Sequence, residues 1–170
     1  REKPVADQTL AKFVNERSIL TLLRAKGKAS RAEISRSLGL TQATISRLTS
    51  AMIMRGLLRE VATVPPEMER DPGRPGIAIE INPEGAYFIG AEVGVSVLRV
   101  VLLDLCANVV ESIENRLTRK PSPKEAADAI AKEIKRLSRK SAYSGRITGV
   151  GVTVPGLVTN DGFVVNLPIL

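Results

Sequence analysis

A multi-domain α/β fold is what this 170-residue sequence predicts, and three patterns predict it. Apolar residues recur at helical spacing between positions 15 and 52, and they alternate in strand fashion at 57–61 and 77–81. Three β-rich runs then follow between 86 and 117. The length suits two small domains. We place them at 1–82, helices closed by a hairpin, and at 83–170, with the order β-β-β-α-β.

The first domain reads element by element. Asn15 to Ala25 carries Ile19, Leu20, Leu22 and Leu23 on one side, a short amphipathic helix ended by Gly27. Ser30 stands three residues before Glu33, the capping-box spacing that opens a second helix holding Ile34 and Leu38. Gly39 supplies the left-handed residue that ends it. Leu40 follows, and Thr41 caps a third helix in which Ile45, Leu48 and Met52 recur, closed by Gly56. Two short helices, a glycine turn, apolar residues to bury at 34, 38, 40, 45 and 48, and the small Ser35 at the close approach resemble the helix-turn-helix of bacterial repressors. Leu57 to Val61 and Ile77 to Ile81 then alternate like half-buried strands around a Pro-, Gly- and charge-rich stretch, Val64 to Gly76. That is the pattern of a wing, with Gly73-Arg74-Pro75-Gly76 at its tip.

Charge points the same way. The chain has 25 Lys+Arg against 18 Asp+Glu, no His, a net charge of +7 and a pI near 9.9. Between Arg24 and Arg59 lie Arg24, Lys26, Lys28, Arg31, Arg36, Arg47, Arg55 and Arg59, with Glu33 the lone acid, so this stretch accounts for the whole excess. A concentrated basic segment is the footprint of a phosphate-backbone binder. Burying Ile45, Leu48 and Met52 turns Gln42, Ala43, Thr44, Ser46, Arg47 and Ser50 outward, where a recognition helix meets base edges in the major groove. Gln42 suits adenine, Arg47 suits guanine or a phosphate, and the methyls of Ala43 and Thr44 suit thymine. Lys28, Arg31 and Thr41 are placed for phosphates, and Arg74 for a narrow A·T-rich minor groove.

Composition excludes several alternatives. A single cysteine, Cys106, forms no intrachain disulfide, and without histidine an ordinary Cys/His zinc site is not available. The commonest general base is missing for the same reason. Aromatic residues are 3% of the chain, too few for a stacking platform that holds single strands. The most apolar run, Val97 to Leu105, is broken by Arg99 and Asp104, and the first fifteen residues hold no secretory signal. The expectation is a soluble, cytoplasmic chain.

In the second domain, Ala86 to Val95, Val97 to Leu105 and Val109 to Leu117 are spaced as an antiparallel meander. Ser122-Pro123-Lys124-Glu125 opens a helix with proline at its first position and a capping-box glutamate. Ala127, Ile130, Ile134 and Leu137 form its expected buried stripe, and Ile147 to Val154 is a glycine-interspersed strand ending at Pro155-Gly156.

These segments together carry a family resemblance from about Ala11 to the last residue. The helix-turn-helix, the Gly-Arg-Pro wing, Ile81-Asn82-Pro83, Ile89-Gly90-Ala91-Glu92-Val93-Gly94, Leu103-Asp104-Leu105 and Gly149-Val150-Gly151-Val152-Thr153-Val154-Pro155-Gly156-Leu157-Val158 resemble the ROK family. That family holds bacterial transcriptional regulators, including xylose and N-acetylglucosamine repressors, and sugar-kinase cousins that share the second domain. The resemblance implies a winged helix-turn-helix followed by the first part of an actin/hexokinase-like effector domain. It also implies operator DNA and a sugar effector as partners, a dimer or tetramer, and no membrane. Kinase members carry an Asp-x-Gly-Gly-Thr loop at the position of Glu92-Val93-Gly94-Val95-Ser96. Val95 in place of the second glycine disfavours both the backbone angles and the phosphate approach, so neither ATP binding nor phosphotransfer is expected. The family's sugar contacts and Cys-rich zinc loop lie beyond the segment matched by Asn166-Leu167-Pro168. The effector domain is therefore expected to be incomplete here, with no cofactor in this chain and zinc a property of the remainder. A sugar kinase carrying a helix-turn-helix head, and a winged-helix module for protein contacts, are the alternative readings.

Overall fold

The computed structural model describes residues 5–62, 77–94, 96–119 and 121–165. The chain divides into two compact units, Arg1–Gly85 and Ala86–Leu170. The wing tip with Arg74, the position of Val95, and Asn166-Leu167-Pro168 lie outside the described residues.

The first unit runs α1 (Val5–Lys26), β1 (Lys28–Ser30), α2 (Arg31–Leu38), α3 (Gln42–Met54), β2 (Leu58–Ala62), β3 (Ile77–Ile81) and a 3-10 turn at Pro83–Gly85. The strands form one antiparallel sheet in the order β1-β3-β2, with Leu58 opposite Ile81 and Ala62 opposite Ile77. Ile19 and Leu23 of α1, Ile34 of α2, Ile45, Leu48 and Met52 of α3, and Leu58, Ala78 and Ile79 of the sheet are all buried. Burial at 3–4 spacing on α1 and α3, with Ile34 between them, holds the three helices together; α2, at 8 residues, is too short to stand alone.

Three details depart from the sequence expectation. Helix α1 begins at Val5, ten residues before Asn15, although its early apolar residues Leu10, Phe13 and Val14 are exposed. Residues 8–14 are all exposed, so periodicity cannot reveal this part of the helix; helix-favouring residues such as Leu10, Ala11, Lys12 and Glu16 extend it instead. Leu38 and Leu40 are half-buried and not part of the fully buried core. Strand β1 was not foreseen, because its three residues pair only with β3, some fifty positions later.

The second unit comprises β4 (Tyr87–Val93), β5 (Val97–Asp104), β6 (Val109–Arg116), α4 (Pro123–Ser138), β7 (Ile147–Thr153) and a small hairpin of β8 (Leu157–Val158) and β9 (Val164–Val165). Its main sheet has the order β6-β5-β4-β7, with β4, β5 and β6 an antiparallel meander and β7 parallel to β4. A parallel pair needs a crossover, and α4 supplies it. Tyr87, Ile89, Ala91, Leu98, Val100 and Leu102 of the sheet, with Ile130 and Leu137 of α4, make the core. The expected α4 stripe needs one correction. Ala126 is buried and Ala127 is exposed, because the register of α4 on the sheet turns the earlier of two adjacent alanines inward. At the β5–β6 turn the buried Asp104 carboxylate accepts from the backbone N–H groups of Cys106 and Asn108, both at 2.8 Å, and from Asn108 Nδ2 at 2.9 Å.

Candidate nucleic-acid interface

Local hydrogen bonding sets the angle between α2 and α3. Ser30 Oγ accepts from the Glu33 backbone N–H at 3.2 Å while Glu33 Oε2 accepts from the Ser30 N–H at 2.7 Å, a reciprocal cap. That backbone bond, with the Ser30 hydroxyl behind it, holds the Glu33 carboxyl below its ordinary range. Gly39 ends α2 at φ 64°, a left-handed angle. Ser35 Oγ then donates to the Leu40 carbonyl at 2.6 Å, so the small side chain pins the turn itself. Thr41 Oγ1 accepts from the Thr44 N–H at 3.2 Å and starts α3.

On α3, Ile45, Leu48, Thr49 and Met52 are buried, which fixes the rotation of the helix. Gln42, Ala43, Ser46, Arg47 and Ser50 emerge on the opposite, exposed face. Thr44 is half-buried, and its hydroxyl lies 2.9 Å from that of Thr41 in a shared hydrogen bond. Lys28 on β1 and Thr41 at the helix start are exposed.

Folding redistributes the basic stretch. Arg31 pairs with Glu60 at 2.8 Å, Arg55 with Glu16 at 2.7 Å and Arg59 with Glu80 at 2.6 Å, all three acids lying outside the Arg24–Arg59 segment. Arg24, Lys26, Lys28, Arg36 and Arg47 are exposed and make no ion pair among the described residues. Lys26 donates to the Ser37 hydroxyl at 3.4 Å. The sequence counts Arg24, Lys26 and Arg36 in the basic stretch without assigning them a contact; what distinguishes them is the pairing of Arg31, Arg55 and Arg59, which depends on acids brought in by the fold.

Residues 18–62 match the IclR helix-turn-helix domain, covering the end of α1 through β2. Over 165 residues the chain is 27% identical to the xylose repressor of Bacillus subtilis (strain 168), spanning 96% of this chain and 42% of that protein. It is 29% identical over 149 residues to a transcriptional regulator of Mycobacterium tuberculosis (strain ATCC 25618 / H37Rv), spanning 83% of this chain and 31% of the relative. Among solved structures it superposes on a ROK-family transcriptional regulator described as a homologue of the E. coli MLC protein. That match has a TM-score of 0.65 and 26% identity, over 87% of this chain and 37% of the other. Over most of its length the chain is similar to ROK-family transcriptional regulators. It spans less than half the length of these relatives. No helix among its described residues is long and apolar enough to cross a membrane, and no cluster of metal-ligating side chains occurs among them.

Proposed function

We propose that this chain contains the operator-binding head, and the first part of the effector domain, of a sugar-responsive transcriptional repressor acting in the bacterial cytoplasm. The observation that carries it is the exposed face of α3, where Gln42, Ala43, Ser46, Arg47 and Ser50 stand over a helix anchored from behind by Ile45, Leu48 and Met52. A rigidly rotated helix with short polar residues at its N-terminal end fits the major groove, and Gln42 and Arg47 are the residues able to read adenine and guanine edges. Lys28 and Thr41, both exposed, are assigned to phosphates, Thr44 to support and methyl contact, and Arg74 to the minor groove beside the operator core. Glu92, a candidate for kinase-type chemistry by position, pairs with Arg99 at 2.6 Å, and Arg99 also holds Glu114 at 2.8 Å. That cross-strand ladder accounts for Glu92 without catalysis and favours a regulator over an enzyme. The relatives named xylose repressors make xylose the first effector to test.

Selection of duplexes from a random-sequence library by the full-length protein tests the reading. A recovered consensus is expected, and none would remove it. Arg47→Ala should relax preference at one base pair by about 1–3 kcal/mol, and Arg74→Ala should relax only an A·T-rich flank. Uniform weakening on every sequence would make Arg47 a phosphate contact. Xylose is expected to lower operator affinity, and no response would move the effector to another sugar.

A further inference from the structure

We propose that Arg31 is a positioning residue that locks the recognition helix to the first hairpin strand and so sets how α3 meets DNA. The inference rests on the DNA-binding reading above. Arg31 opens α2, yet its guanidinium serves two other elements. Nε donates to Thr49 Oγ1 of α3 at 3.2 Å, and Nη2 donates to Glu60 Oε1 of β2 at 2.8 Å. Thr49 is fully buried, and its hydroxyl donates to the Ile45 carbonyl at 2.8 Å, which leaves a lone pair aimed at Arg31. Glu60 in turn sits opposite Ile79 in the β2–β3 ladder.

One planar fork therefore ties α2, α3 and β2 at the level of the second turn of the recognition helix. Guanidinium geometry suits this task, because its donors diverge at fixed angles; the single nitrogen of a lysine does not span a hydroxyl and a carboxylate in this way. The contrast with Lys28 and Arg47 is instructive. Those two are exposed and unpaired among the described residues, as ligands for phosphate or base should be. Arg31 has only 27% of its side chain exposed and is already neutralised by Glu60. A carboxylate beside a phosphate contact would repel the DNA that the contact is meant to hold.

Glu60 gives the test its sign. Full-length wild type, Arg31→Ala, Arg31→Lys, Glu60→Gln and the Arg31→Ala/Glu60→Gln double variant are titrated over a salt series, each against the duplex that the wild type selects. Both alanine and glutamine variants are expected to weaken specific binding about tenfold, the loss typical of a broken charge-assisted hydrogen bond. The double variant should lose no more than either single one, the salt slope should stay at its wild-type value, and lysine should not rescue. Long-range charge alone predicts the reverse for Glu60→Gln, since removing an acid near DNA tightens binding.

Wild-type or tighter binding by Glu60→Gln, with a slope reduced by about 0.9 per half-site in Arg31→Ala, would overturn the lock and return Arg31 to the phosphates. Amide hydrogen exchange without DNA supplies a second reading on the same proteins. Protection at Ile45–Thr49 and at Arg59–Val61 should fall together in Arg31→Ala and in Glu60→Gln, and unchanged protection at either segment overturns the proposal. Should the wild type select no duplex, the DNA reading falls and exchange alone decides the lock.

Discussion

Gly85 ends the first unit in a position no other residue fills comfortably. A Cβ built there would lie 2.3 Å from the Gly56 carbonyl oxygen and 3.1 Å from its carbon, both main-chain atoms that cannot swing aside. The approach is drawn tight by Asn82, whose Nδ2 donates to that same Gly56 carbonyl at 2.8 Å and whose N–H donates to the Leu57 carbonyl at 3.0 Å. Gly85→Ala is therefore expected to cost about 1–3 kcal/mol, the usual penalty for overpacking, visible as a lowered midpoint in denaturant unfolding of the first unit. An unchanged midpoint would mean the exit from β3 shifts freely. Asn82-Pro83 and Gly85 are visible in the sequence as a turn, but their clasp on Gly56 is not, because the partner lies 26 positions away. Arg31 follows the same logic: its charge is legible, and its commitment to Glu60, 29 positions on, is not.

Helix starts are the features most plainly written in this chain, because a cap is a four-residue affair. Ser30–Glu33 and Ser122–Glu125 both form the full capping box expected of their spacing. Where an element depends on distant pairing, as β1 does, or on the register of a helix over a sheet, as with Ala126 and Ala127, local pattern is insufficient. The α4 cap also has a pH signature. Arg119 donates to the Glu125 carboxylate, which the Ser122 N–H at 2.8 Å and hydroxyl also engage, and its pKa falls from 4.5 to about 2. A carboxyl depressed in the folded state stabilises above its unfolded pKa, and that contribution fades as the pH drops from about 4.5 towards 2. Glu125→Gln should thus flatten the loss of stability between those two values, as followed by far-UV circular dichroism across an acid titration. A slope equal to the wild type's would show that the pair persists in the unfolded chain. Ser122→Ala removes one ligand of the same carboxylate and should cost about 1 kcal/mol at neutral pH.

At the scale of the whole molecule, the chain divides into two compact units at Gly85, near where helical periodicity gives way to β-rich runs in the sequence. The charge surplus was foreshadowed in amount and not in distribution, since Glu16, Glu60 and Glu80 claim three of its eight members only once the chain is folded. If the proposed repressor acts as a symmetric dimer, two α3 helices require an inverted repeat with half-site centres about 34 Å, one helical turn, or a multiple of it apart. Hydroxyl-radical footprinting of the full-length protein on its selected duplex should show two equivalent protected patches at that interval. A single asymmetric patch would remove the paired-head arrangement while leaving the groove contacts of one head intact.

The three-stranded sheet of the first unit bears on how such regulators diverge. Strand β3 is held on one side by β1 and on the other by β2, so the hairpin is tied along its β3 margin to the strand that leads into α2. Evolution can lengthen, shorten or rewrite the segment joining β2 to β3 without re-aiming α3, because neither ladder of β3 passes through it. On the proposed DNA-binding reading, new operator preferences can then be explored in that segment while the scaffold that orients α3 stays under constant selection.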